Sequence, residues 1–372
     1  MLKSKKFWSF EVCEQVKLSD EVLTNFKQKG KFYEDALYFY DQIGTGVHPS
    51  IKVFHGTTPT VITFNNVLVD NNTIKILFHL INSTKIVKMK FSSNNFTIEN
   101  LDFLINSLLN KPNEVYDFTF EWNDKITVDK QVYSFQNVEE ITDEIIVNQF
   151  KKQHEILLNL FINPNKLESI CLRGNFLGDE IANLIFENLK NENTNLRILN
   201  LFKNNLTSEC IKKFSEMLKV NKKLEEINFG GNYLTNETLE LIKQNYGMWL
   251  LNEEELEEFK KLEKEKQDII KQNAKLKAAK KPELEVPELD NLEEIDGKNY
   301  RCKNHTLRVI NVIQNNFDEN SFENLKYLLD SNVHLVFTGD LLSYNEEQRK
   351  ILNEDVNEEG KFKYKDRIYL LK

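Results

Sequence analysis

Between Leu167 and Ile242 the apolar positions of the chain fall three times into one frame. Leu167, Ile170, Leu172, Asn175 and Leu177 are followed by Leu196, Leu199, Leu201, Asn204 and Leu206, and these by Leu224, Ile227, Phe229, Asn232 and Leu234. The step is 29 residues from Leu167 to Leu196 and 28 from Leu196 to Leu224. A fixed period of this size marks stacked supersecondary units. Within each unit the first three apolar residues predict a short strand with those side chains inward. The Asn that follows falls at a buried turn, where its amide can satisfy backbone groups of neighbouring turns. The second half of each unit predicts a helix. Asp179 and Glu180 open a stripe of Ile181, Leu184, Ile185 and Leu189; Thr207 and Ser208 open one of Ile211, Phe214, Met217 and Leu218. Polar residues suit a helix start, and the three-four spacing gives one buried face.

The frame extends in both directions. Val61, Thr63, Asn66 and Leu68 form a poor first copy, in which Ile62 and Phe64 compete for the inward positions. Ile86, Met89, Phe91, Asn94 and Phe96 form a better one, with a helical stripe through Ile98, Leu101, Leu104, Leu108 and Leu109. Val115, Phe118, Phe120 and Asn123 come next, and the following copy begins only at Leu167, 52 residues after Val115. An enlarged unit at 115–166 is expected, with an extra strand or hairpin in 125–135 and a longer helix over 138–161. Leu224 and the next frame, Leu307, Ile310, Val312, Asn315 and Phe317, are 83 residues apart. The excess includes 252–281, nearly all Glu, Lys, Gln and Ala, acidic at its start and basic at its end, as the helix dipole favours. Phe259, Leu262, Ile269 and Leu276 give only a thin seam, interrupted by Lys266 and Asn273, so a solvated single helix is expected. Pro282 and Pro287 end it, and 283–296 reads as an acidic, extended return.

The resulting organisation is a cap at 1–57, repeats at 58–245, a charged helical insertion with its return at 246–304, a final repeat at 305–340 and a closing cap at 341–372. A short capped helix after Ser19, another over 33–42, and Trp8 tucked against the first unit are expected in the first cap. The end units of a stack need such covers, and a partner-docking arm is the alternative use of each end. In the closing part, Val333, Leu335 and Phe337 read as a strand, 345–352 as a helix and 361–371 as a strand-like tail.

The repeat residues resemble the leucine-rich repeat family, in its longer ribonuclease-inhibitor-like class. That resemblance implies an α/β solenoid with a curved parallel sheet on the concave side and helices on the convex side. The order of repeats, charged insertion, acidic return ending in Gly297, Lys298, Asn299 and Tyr300, and one more repeat is similar in layout to the ciliary leucine-rich repeat-containing protein seventy-one family. The insertion is shorter than in that layout.

Composition narrows the function. Hydrophobic residues are 40% and charged residues 29% of the 372, ordinary for a soluble chain. A net charge of −9 argues against a general nucleic-acid binder, which must neutralise phosphates. No apolar run approaches the ~18 residues that a membrane span needs. The first ten residues carry Lys3, Lys5 and Lys6 without an apolar stretch behind them, unlike a secretory signal. Cys13, Cys171, Cys210 and Cys302 form no C-x-x-C pair, and the six His residues at 48, 55, 79, 154, 305 and 334 form no i, i+4 pair, so no metal or disulfide framework is expected. Phosphate-loop, dinucleotide, zinc-protease and serine-hydrolase motifs are missing from the sequence. Gly230 and Gly231 sit inside a repeat, where missing side chains are expected to open space on the sheet. The expectation is therefore a non-catalytic protein with no cofactor and no small-molecule substrate, in cytoplasm or cilium.

Strand alternation places the residues between the buried ones on the concave face. The candidate partner-binding residues are Lys88, Lys90, Glu121, Arg173, Ile198, Asn200, Phe202, Glu226, Asn228, Asn311 and Ile313, with Phe202, Ile198 and Ile313 exposed among polar groups. Aromatic and Arg anchors on a rigid polar surface suit a protein partner. A scaffold or adaptor within a cytoskeletal, axonemal assembly is the favoured expectation. The alternative is a regulator of an enzyme, such as a ribonuclease inhibitor or a GTPase activator. The latter pairs its repeats with a terminal acidic region, whereas here the acidic segment lies between repeats.

Overall fold

Each apolar frame becomes one strand of an open, nine-stranded parallel sheet. The computed structural model describes residues 7–27, 29, 31–51, 61–81, 86–123, 125–128, 131–134, 144–162, 166–191, 194–278, 280–287, 289–295, 297–332, 334–340, 344–354, 364 and 367–371. The chain opens with α1 (Phe10–Gln15), α2 (Asp20–Thr24) and α3 (Phe32–Ile43). Strands and helices then alternate: β1 (Val61–Asn65), α4 (Asn71–Leu80), β2 (Lys88–Ser92), α5 (Ile98–Asn110) and β3 (Asp117–Glu121). A two-stranded antiparallel pair, β4 (Lys125–Val128) and β5 (Gln131–Ser134), and the long α6 (Glu144–Ile162) precede β6 (Ser169–Cys171). The alternation resumes with α7 (Asp179–Asn188), β7 (Ile198–Asn200), α8 (Ser208–Val220), β8 (Glu226–Asn228) and α9 (Glu237–Lys243). Next come β9 (Met248–Leu250), α10 (Glu253–Ala278), β10 (Asn291–Ile295) and β11 (Lys298–Cys302). The chain closes with β12 (Val309–Asn311), α11 (Phe322–Ser331), β13 (Val336–Asp340), α12 (Glu346–Glu354) and β14 (Ile368–Leu371).

The sheet order is β1-β2-β3-β6-β7-β8-β12-β13-β14, with every neighbouring pair parallel. This is a repeating α/β architecture of solenoid type. Register repeats the sequence frame: Ile170 lies opposite Leu199, Leu199 opposite Ile227, and Ile227 opposite Ile310. All four side chains are buried, as are the helical residues Ile185, Phe214, Leu239 and Leu325 that pack over them. The helices begin where the sequence supplies caps. Asp70 accepts from the Thr73 N–H, Thr97 from Asn100 and Thr207 from Glu209.

In the first strand Ile62 and Phe64 win the inward positions. Ile62 pairs with Met89 and Phe64 with Phe91, and both are buried, while Val61 is exposed. The frame beginning at Val61 is thereby corrected by one residue, which in a strand changes every side chain to the other face.

Asn94, Asn123, Asn175, Asn204, Asn232 and Asn315 stack along one edge of the sheet as a continuous ladder. The backbone N–H of Asn175 donates to Asn204 Oδ1 at 3.1 Å, and that of Asn204 to Asn232 Oδ1 at 3.1 Å. In return, Asn204 Nδ2 donates to the Leu172 and Leu201 carbonyls at 3.1 and 2.9 Å. The residue before each ladder Asn is left-handed: Ser93, Trp122, Gly174, Lys203, Gly231 and Gln314 have φ between 54° and 67°. Five-residue strands or shorter must turn sharply into the next helix, and this conformation aims the Asn amide inward.

A second set of Asn side chains closes the opposite corner. Asn221 and Asn304 accept from the backbone N–H groups of Leu224 and Leu307. Asn304 Nδ2 also donates to the carbonyls of Leu218 and Asn221, at 3.0 and 2.7 Å. These residues stand three positions before the first apolar residue of their frames, a signal present in the sequence but outside the apolar frame itself.

β3 pairs directly with β6, so the hairpin β4–β5 lies outside the main sheet. Likewise β8 pairs directly with β12, and the intervening β9, β10 and β11 form their own antiparallel sheet of order β10-β11-β9. Phe259 and Asn273 of α10 are buried. Asn273, expected to interrupt a seam, instead fastens the return segment: its Oδ1 accepts from Leu284 N–H and its Nδ2 donates to Leu284 O, both at 2.7 Å. Trp8 packs edge-on to His48, with ring centroids 4.5 Å apart. At the other end β14 adds a ninth strand, and the buried Tyr364 donates to Asp330 at 2.6 Å. The expected strand residue Val333 and the 355–363 stretch before β14 lie outside the described residues.

Candidate functional site: the open face of the sheet

On the face turned away from the helices, parallel register arranges the candidate residues in three rows. The first runs Lys88, Asp117, Ser169, Ile198, Glu226 and Val309. Lys88 Nζ lies 2.6 Å from Asp117 across the β2–β3 boundary. Ile198 is exposed. The middle row runs Lys90, Thr119, Cys171, Asn200, Asn228 and Asn311. Asn200, Asn228 and Asn311 accept from the N–H groups of Phe202, Gly230 and Ile313, at 2.9, 2.9 and 3.1 Å. The three are therefore turn-holding residues as well as surface ones, and among the described residues their Nδ2 groups have no partner.

The third row, at the end of β3 and two residues beyond β6, β7, β8 and β12, carries the distinctive chemistry. Glu121 is engaged by Lys90 at 2.5 Å. That leaves Arg173 facing aromatic rings: its guanidinium carbon lies 5.0 Å from the Trp122 ring centroid and 4.5 Å from that of Phe202. Both rings sit within the range for cation–π stacking, which suits the flat guanidinium. Arg173 Nε is buried without a hydrogen-bond partner among the described residues.

Phe202 was expected to be exposed and is not; it is 9% accessible. The reason is its neighbours. Arg173 covers one side, and on the other Phe202 and Ile313 converge over Gly230, where an added Cβ would lie 2.7 and 2.9 Å from them. The expectation that the glycine pair opens space is corrected in the same way. Gly230 makes room that Phe202 and Ile313 fill, and Gly231, at φ +66°, supplies the left-handed turn with Lys203 lying over it. Gly174 does both tasks for Trp122, whose ring would meet an added Cβ at 2.2 Å. Trp122 itself, 37% exposed, was not among the candidates because the left-handed position before the ladder Asn carries no hydrophobic period.

The eleven candidates thus occupy one continuous face but differ in what they offer. Lys88, Lys90 and Glu121 are partnered with neighbouring strands, whereas Arg173, Ile198, Glu226 and Ile313 present charge and apolar area to solvent or to a partner. Burial pushes the Cys171 thiol on this face up from its ordinary value, which makes it a poor nucleophile. Away from the face, Glu293, Cys302 and His305 bring their ligand atoms within 4.8 Å of one another. Cys302-x-x-His305 is neither an i, i+4 His pair nor a C-x-x-C, and Glu293 reaches the two only through strand pairing.

Among the described residues no helix is long and apolar enough to cross a membrane. No protein-family model matches the chain, and no curated protein matches it.

Proposed function

We propose that this protein is a non-catalytic scaffold of the leucine-rich repeat type, which captures another protein on the open face of its sheet. The observation that carries the reading is Arg173. Its guanidinium is held between Trp122 and Phe202, and among the described residues no carboxylate pairs with it. A cation already ordered and partly dehydrated between two aromatic rings is the kind of anchor that dominates protein interfaces. The partner would offer a carboxylate beside an apolar side chain. Assignment to the leucine-rich repeat class is supported by the 28–29-residue frame, the buried Asn ladder and the left-handed residue before each Asn. Placement in a ciliary axonemal assembly is supported by layout: repeats, a charged helix, a return, and a further repeat. The stacking of Arg173 favours a docking anchor over a mobile arginine that would reach into a GTPase.

The test is affinity capture from the source cell with wild-type chain and with Arg173→Ala, Arg173→Glu and Arg173→Lys. Loss of the same interactors with Ala and Glu, by about 2 kcal/mol or more on the hot-spot scale, supports the open-face reading. Equal capture by folded Arg173→Glu refutes it. Retention of a tagged copy in the detergent-insoluble axoneme supports the ciliary placement, and a diffuse, fully extractable signal opposes it.

A further inference from the structure

The geometry points to a divalent-metal site of zinc type where the inserted hairpin rejoins the repeats, made by Glu293, Cys302 and His305. Antiparallel register explains how three separated residues meet. Asn291 lies opposite Cys302 and Glu293 opposite Tyr300, so Glu293 and Cys302 project from the same face of the β10–β11 hairpin. His305 follows three residues after Cys302, past Asn304, whose amide is bound to the Leu218 and Asn221 carbonyls of the repeats. One ligand therefore comes from each strand of the insertion and one from the entry into β12.

The donor set is thiolate, imidazole and carboxylate, the mixture that borderline-soft Zn²⁺ takes. His305 Nε2 is 3.4 Å from Glu293 Oε2. Two ligands at ~2.1 Å from a tetrahedral ion stand about 3.4 Å apart, so this pair already has the required spacing. The Cys302 sulfur lies within the 4.8 Å envelope of the set, and rotation about its side chain closes the remaining ångström or so. The Lys303 carbonyl is 3.4 Å from His305 Nδ1, an outer contact that turns Nε2 toward the ligands.

Cys302 is 1% accessible whereas Glu293 and His305 are half-buried, so the site is closed on the sulfur side and open on the other. Three protein ligands with one open position fit a bound water or a fourth ligand from a partner. On binding, the Cys302 thiol releases its proton to solvent and its sulfur forms the metal bond. Lys222, whose Nζ lies 3.5 Å from the Lys303 carbonyl, is the neighbouring cation. The simpler arrangement of the same residues is a His305–Glu293 ion pair with a neutral thiol beside it. The two differ in whether the thiol deprotonates, and that is measurable.

The experiment uses the full chain stripped of metal and titrated with Zn²⁺ alone and with Co²⁺ alone. The expected result is one tightly held Zn²⁺ per chain, a raised melting temperature, and a thiolate-to-cobalt charge-transfer band with Co²⁺. Cys302→Ser should abolish that band. Glu293→Gln and His305→Ala change half-buried side chains and should leave the circular dichroism unchanged. Each should weaken Zn²⁺ by at least ~10-fold, since even an outer-shell partner is worth 10–100-fold. Absence of stoichiometric Zn²⁺ binding to the wild-type chain overturns the site and leaves the ion pair. So does a cobalt band that survives Cys302→Ser, which would assign the metal to Cys13, Cys171 or Cys210.

Discussion

Replacing Asn204 by Ala should test the Asn ladder most directly. Asn204 is buried at 3% accessibility and makes contacts in both directions along the stack. Its Oδ1 accepts from the N–H groups of Asn175 and Leu177 at 3.1 and 3.0 Å, and its Nδ2 donates to Leu172 O and Leu201 O at 3.1 and 2.9 Å. Alanine leaves two backbone donors and the Leu172 carbonyl short of a partner, while the Leu201 carbonyl keeps the Asn232 amide at 3.0 Å. Each buried group left unsatisfied costs about 1–3 kcal/mol, but a water entering the polar gap would restore part of that. The net expectation is a loss of about 3–4 kcal/mol, near the upper end of single-site effects. Asn200→Ala is the matched control: it removes one bond, to the Phe202 N–H, from a half-buried residue on the open face. It should cost no more than about 1 kcal/mol. Urea unfolding followed by circular dichroism gives the two stabilities, and native-state amide exchange gives the local consequence. In Asn204→Ala the amides of Asn175 and Leu177 should lose protection first. If Asn204→Ala costs no more than Asn200→Ala, or if those two amides stay protected, the ladder does not hold the coils together as argued.

Two further predictions concern other parts of the stack. His154 is buried against the Asn175 carbonyl at 3.1 Å, and burial holds its pKa down from 6.5 to about 4. The unfolded chain therefore takes up a proton near pH 6.5 that the folded chain refuses, so this stability is present above 6.5 and is lost as pH falls toward 4, by about 3 kcal/mol. His154→Gln should flatten that part of the stability–pH curve, and an unchanged slope between pH 6.5 and 4 would contradict the assignment. Gly230→Val should displace Phe202 or Ile313, which now stand 2.7 and 2.9 Å from where its Cβ would be. The expected loss is about 1–3 kcal/mol, typical of overpacking. A thermal melt checks it, and a melting temperature equal to wild type would mean that the row is loosely packed.

What could be read from the sequence follows from periodicity. Phe91, Phe120, Leu172, Leu201, Phe229 and Val312 recur in one frame, and solvent exclusion makes such a frame a strand signal whatever lies between the copies. The Asn after each strand was legible for the same reason. The helix of the insertion was legible from its charge order, with Glu253, Glu254 and Glu255 at one end and Lys275 and Lys277 at the other.

Tertiary structure alone decided how surface residues pair. Alternation says that Arg173 and Phe202 share a face, but only the strand spacing sets them 4.5 Å apart and turns an expected exposed ring into a covered one. The partners of Lys88 and Lys90 stand 29 and 31 residues away, on a strand whose register the pattern does not state. Ile62 displaced Val61 because the choice between two adjacent apolar residues depends on what β2 presents to them. The meeting of Glu293 with Cys302 and His305 was beyond sequence reading, since a hairpin fixes it through the pairing of Asn291 with Cys302. Local pattern records which side of the backbone a residue occupies; distances between side chains on different strands arise only when those strands are laid in register.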